Sequence, residues 1–163
     1  MPVRIGGLVS DKLYTVACHV GRLVELRTGI FTSPAHFAKA QVDVANVLGK
    51  VKEPILCIDA RSGRLLPEPL AEAGLEAMRS DNPLIFRCAT LVASPMFAMQ
   101  LARLSREANN VRRKIFDNAG HLFLWLRPHL NDQEFERLLV FLGEDPSVPD
   151  LPAGSGQNSP AVP

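Results

Sequence analysis

Two hydroxyl–proline steps, Thr32-Ser33-Pro34 and Ser94-Pro95, set the rhythm of this chain. Each follows a run of β-favouring residues, and each precedes apolar residues at three-and-four spacing. A serine hydroxyl satisfies free N–H groups at a helix start. Proline at the first helical position gives up a donor that has no partner there. A chain that repeats strand, capped entry and amphipathic helix is committed to alternating layers of sheet and helix.

The remaining segments extend the pattern. Tyr14, Val16, Cys18 and Val20 alternate with Thr15, Ala17 and His19, and Gly21-Arg22 separates Leu13–Val20 from Leu23–Ile30, so a hairpin is expected. After Pro34 a helix carries Phe37, Ala40, Val44, Val47, Leu48 and Val51 on one stripe. Ile55-Leu56-Cys57-Ile58, closing on Asp59, predicts a strand covered on both faces. A loop, Arg61 to Pro67, leads to a helix with Leu70, Gly74, Ala77 and Met78 inward, ended at Asp81-Asn82-Pro83. Leu84 to Ala93 predicts a second central strand, Phe97, Leu101, Leu104 and Ala108 a further helix, and Lys114 to Phe116 a short last strand. Asn118 caps a helix with Leu122, Trp125 and Leu126, and Asn131 with Glu134 makes a capping box before the last helix. The expected order is β-β-α-β-α-β-α-β-α-α. This is an α/β fold: a mostly parallel or mixed sheet opened by a β-hairpin, with four to five helices and an extra C-terminal helix.

With 163 residues and 47% hydrophobic content, the chain is expected to form one folded domain over residues 1–143. Residues 144–163, rich in Pro, Gly and Ser and without an aromatic residue, predict a disordered tail. No apolar run approaches the roughly 20 residues of a membrane span. A net charge of +1 gives no reason to expect nucleic-acid binding. Cys18, Cys57 and Cys88 lack metal or redox spacing and are expected as buried strand thiols, and with no secretory segment the expected location is the cytoplasm.

Motifs for covalent chemistry are missing: there is no phosphate-binding loop, no GxGxxG after a strand and no GxSxG. The four histidines form no ligand set, and neither metal nor cofactor is expected. Asp59 and Asp117 close strands at the expected carboxyl edge of the sheet, where open α/β folds bind ligands. Arg103, Arg106, Arg112, Arg113 and Lys114 concentrate positive charge suited to an acidic protein or a peripheral membrane headgroup. Phe135, Leu138, Leu139 and Leu142 make one stripe of the last helix and Phe141 adds a second apolar side. Self-association into a homo-oligomer is therefore expected, with a smaller species after truncation at Leu130.

The hairpin start, the strand Ile55-Leu56-Cys57-Ile58-Asp59-Ala60-Arg61, Ala93-Ser94-Pro95, and Lys114-Ile115-Phe116-Asp117-Asn118 running to Trp125-Leu126 together resemble the STAS domain. Within it they resemble the bacterial branch that holds sporulation-type anti-sigma-factor antagonists and SEC14-like domains, over Leu13 to Leu126. The resemblance implies a non-enzymatic signalling adaptor that docks a protein partner. The branch phosphorylates a serine at a helix start after the central strand. Here Pro67-Glu68-Pro69 occupies that start and Ser62 lies earlier in the loop, so the usual switch is expected to be absent. The expected partner surface combines Arg61, Ser62, Gly63, Arg64, Glu68, Ser94, Asp117 and Asn118. The alternative is a SEC14-like carrier of an apolar small molecule or lipid, with Met96, Phe97 and Trp125 lining its pocket. An enzyme remains open should Asp59, Asp117 and a histidine meet in one pocket.

Overall fold

In the computed structural model, which describes residues 3–5, 8–11 and 13–147, seven strands lie in one sheet in their order along the chain. They are β1 (Val3–Ile5), β2 (Leu8–Asp11), β3 (Tyr14–Val20), β4 (Leu23–Thr28), β5 (Ile55–Ala60), β6 (Arg87–Val92) and β7 (Arg113–Phe116). The strands from β1 to β4 pair antiparallel and those from β4 to β7 parallel. The expected mixed α/β sheet with its hairpin is therefore observed, extended by two strands ahead of the hairpin.

Each parallel crossover advances one strand in the same direction. A right-handed connection then puts all three crossover helices on one face. These are α1 (Pro34–Leu48), α2 (Glu68–Asp81) and α3 (Pro95–Glu107). Ser33 and Ser94 accept from the backbone N–H of His36 and Phe97, the caps expected of those positions. Under these helices lie Val16, Val24, Leu26, Leu56 and Cys88, alternate residues of adjacent strands.

The opposite face carries Leu23, Ile55, Cys57, Ala89, Leu91 and Phe116, and would be bare without the end of the chain. Helix α4 (Ala119–Leu126), a single 3-10 turn (Arg127–His129) and α5 (Asp132–Gly143) cover it, α4 over β6 and β7 and α5 over β3 and β4. The capping box at Asn131 and Glu134 forms, and buried Glu134 also accepts from the Arg22 backbone N–H at 2.8 Å, pinning the start of α5 to the β3–β4 turn. Gly21 makes this approach possible: its φ is +53°, and a Cβ there would come within 2.3 Å of the Glu134 carboxylate.

This packing covers most of the apolar stripe of the last helix within the chain itself. Leu138, Phe141 and Leu142 are buried against the chain's own sheet, and Phe135 packs beside Phe123 and under Arg127. Only Leu139 and Val140 remain outside, at 41% and 53% exposure. The stripe was real, but its cover is intramolecular. The body also extends past Gly143: Glu144 pairs with Arg27, and the Pro146 carbonyl accepts from Ser62. Of the expected tail, residues 148–163 lie outside the described residues. Among the described residues, no helix is long and apolar enough to cross a membrane.

Candidate functional site

The loops after β4, β5 and β6 gather at the carboxyl edge of the parallel strands, and the loop 61–67 is the most constrained of them. Asp59, fully buried, accepts from Arg61 at 2.9 Å and 2.8 Å and from Arg27 at 3.3 Å. Arg61 continues to the Leu142 carbonyl at 2.9 Å, and Arg27 to the Phe141 carbonyl at 2.7 Å with its guanidinium 4.6 Å from the Phe141 ring. Beside them Arg137 grips Glu25 through two bonds of 2.7 Å. Asp59 thus ties the sheet to the end of α5. The hydrogen bond to Asp59 raises the Arg61 pKa, keeping that cation committed to the cluster.

Beyond Arg61 the loop turns to the other face. Gly63 donates to the Ala60 carbonyl, and a side chain there would strike the Phe97 ring at 2.8 Å. Leu66 exchanges two bonds of 2.8 Å with the Gln100 side chain. The loop is therefore a fixed lip, with Arg64 and Leu65 exposed on it.

Behind this lip lies a cavity of about 150 Å³. Its floor is Leu26, Leu56, Ile58 and Thr90, its roof Phe37, Ala40 and Val44 of α1 with Gly74, Ala77 and Met78 of α2, and Phe97 and Leu101 of α3 close one side. Ile30 and Leu65, 39% and 47% exposed, mark the mouth between the loops after β4 and β5. The lining is mostly apolar, with Thr28 and Arg64 near the mouth, Thr90 in the floor, and Asp81, Gln41 and Arg113 at the end away from the mouth. Asp81 accepts from Gln41 at 2.6 Å. Burial pushes its carboxyl pKa up, opposed by that bond and by the charge of Arg113.

Several residues of the expected partner surface are engaged within the chain itself. Arg61 is spent on Asp59, Ser62 bonds to Pro146, Gly63 abuts Phe97, and Ser94 caps α3; Arg64 and Glu68 are exposed. Asn118 caps α4, and Asp117 lines a separate shallow depression with His121 and Trp125, so Asp59, Asp117 and a histidine do not share a pocket. The basic concentration keeps Arg103, Arg106, Arg112 and Lys114 at the surface. Arg103 pairs with Glu107, Arg112 bonds to the Ile85 carbonyl, and Arg113 is buried; Arg106 and Lys114 alone stay outside without such a bond among the described residues. Of the residues expected to line a pocket, Phe97 does. Met96 is 65% exposed, and Trp125 packs on Phe116 across the sheet.

The arginine–carboxylate cluster and the polar end of the cavity were not anticipated. Glu25, Arg27 and Asp59 held a signal, being charges at positions where alternation demands apolar side chains. Burial raises the thiol pKa of Cys57 and Cys88, as expected of strand thiols, whereas Cys18 is half-exposed and bonds to the Gly21 carbonyl. Comparison of the chain with protein-family models, curated proteins and solved structures finds no match.

Proposed function

We propose that this chain is a binding module that takes up a small apolar molecule between its sheet and α1–α2. The observation that carries the reading is the cavity itself. Protein interiors pack to the density of organic crystals, and a void of about 150 Å³ forfeits contacts on every wall. A cavity of this order is large enough for a guest the size of benzene. The rigid lip, fixed by Gln100 on one side and by the Asp59 cluster on the other, keeps the mouth shaped without a ligand.

A second reading, a protein adaptor of the kind the STAS resemblance implies, is favoured by the mouth. Ile30, Arg64 and Leu65 stand exposed beside one another in the cavity lining, two apolar groups and a cation that a partner protein could cover. The two readings are compatible in a regulator whose partner senses an occupied cavity.

Calorimetric titration of the full chain with toluene and with 1-hexanol tests the first reading. Saturable binding is expected, and Ala77→Phe, which fills the cavity from the half-buried side of α2, is expected to abolish it while leaving the circular dichroism spectrum unchanged. Wild-type protein that binds neither compound overturns the reading.

A further inference from the structure

We infer that the molecule held in this cavity is an apolar monocarboxylate, entered head-first, whose carboxylate is taken by Arg113. The inference rests on the small-molecule reading above and adds to it the chemistry of the head group. Arg113 is the first residue of β7, paired in register with Cys88, so its side chain lies on the α1–α3 face among apolar groups. It is 9% exposed and lines the cavity at the end away from the mouth.

All the bonds this guanidinium makes are to neutral acceptors. It donates to the Asn82 side chain at 2.8 Å, to the Cys88 sulfur, a weak acceptor, at 3.3 Å and to the Met78 carbonyl at a long 3.5 Å. Among the described residues no carboxylate stands within ion-pair reach. The other buried arginine, Arg27, has Asp59. Asp81 is near enough for the charge of Arg113 to act on its carboxyl, but the two form no ion pair, and a planar guanidinium is the side chain best shaped to hold a carboxylate by two parallel bonds.

The surroundings narrow the class further. Asp81 also faces this end, already bonded to Gln41, and its nearness opposes a head group carrying two negative charges. Arg113 is the single buried cation of the lining, enough for one carboxylate and too little for a phosphate monoester. The walls along the body of the cavity, among them Leu26, Val44, Leu56, Ile58 and Phe97, offer an unbranched or small aromatic body mainly van der Waals contact. The cavity runs along the strands from the carboxyl ends of β4 and β5 to the start of β7, so the acid's apolar end is left toward the mouth.

Hexanoate and its uncharged counterpart hexanamide, titrated into the full chain by calorimetry, separate the head group from the body. Hexanoate is expected to bind at least about tenfold more tightly, the worth of one charge-assisted bond. Arg113→Met is expected to erase that preference while keeping affinity for toluene. Arg64→Gln, which removes the exposed cation at the mouth, is expected to leave it intact. Should Arg113→Met fail to fold, the wild-type comparison together with Arg64→Gln decides. Equal affinities for acid and amide, or a preference lost in Arg64→Gln, overturn the assignment to Arg113 while toluene binding preserves the cavity reading. Failure of toluene and 1-hexanol to bind overturns the cavity reading and, with it, the assignment that rests on it.

Discussion

At the scale of single residues, the charges that break apolar alternation carry the most information. Asp59 neutralises two arginines in a place water does not reach. Removing one member of a buried pair leaves its partners uncompensated, which costs about 3–5 kcal/mol. Asp59→Ala is therefore expected to lower the stability of the folded chain by about that amount in urea titration, far beyond the cost of Asp132→Ala, whose partner Arg127 is exposed. Asp81 behaves oppositely. Its carboxyl pKa is raised on folding, so the folded state binds the proton more readily than the unfolded chain does. The stabilisation is present below the unfolded carboxylate pKa and is lost as pH rises through the raised one. Measured against Asp81→Asn by denaturant titration at a series of pH values, wild type is expected to have its relative advantage in acid and to lose it toward neutrality; a pH-independent difference would contradict this assignment.

At the scale of elements, every helix from α1 to α5 was legible because caps and stripes are local: Ser33, Ser94, Asn118 and Asn131 each bond within the next turn, and α2, without a side-chain cap, shows its apolar stripe. Strands β1 and β2 were not, since runs of three and four residues around Gly6-Gly7 leave too few positions for a period to show. What covers a stripe is also not local. Nothing in Leu138, Phe141 and Leu142 distinguishes a neighbouring chain from the sheet more than a hundred residues upstream; the long-range bonds of Glu134 to the Arg22 backbone and of Arg27 to the Phe141 carbonyl decide it. Likewise Leu26, Val44, Gly74 and Met78 read as ordinary core, because a cavity is a shortfall of packing among several elements and no one segment encodes it. Truncation after Leu130 is accordingly expected to abolish cooperative unfolding, and not to yield a folded species of lower mass by light scattering.

For the whole molecule, one sheet serves as the shared wall of two cores. Trp125 reports the α4–α5 side, and most of the helix signal comes from α1–α3 on the other. Because Arg27, Asp59 and Arg61 bind the last helix to the same strands that floor the cavity, the layers are expected to come apart together. Tryptophan fluorescence and far-ultraviolet circular dichroism should give coincident denaturant midpoints; separated transitions would mean that the two faces are independent.

Strand order that follows chain order has a consequence for synthesis. On the ribosome the sheet is able to assemble strand by strand as it emerges, each new parallel strand arriving with its own crossover helix. The second face waits for residues 119–143, and during that interval Glu25, Arg27 and Asp59 lie open to water. Like gatekeeper charges on an exposed strand, they discourage one nascent sheet from sticking to another until α5 arrives and turns them inward.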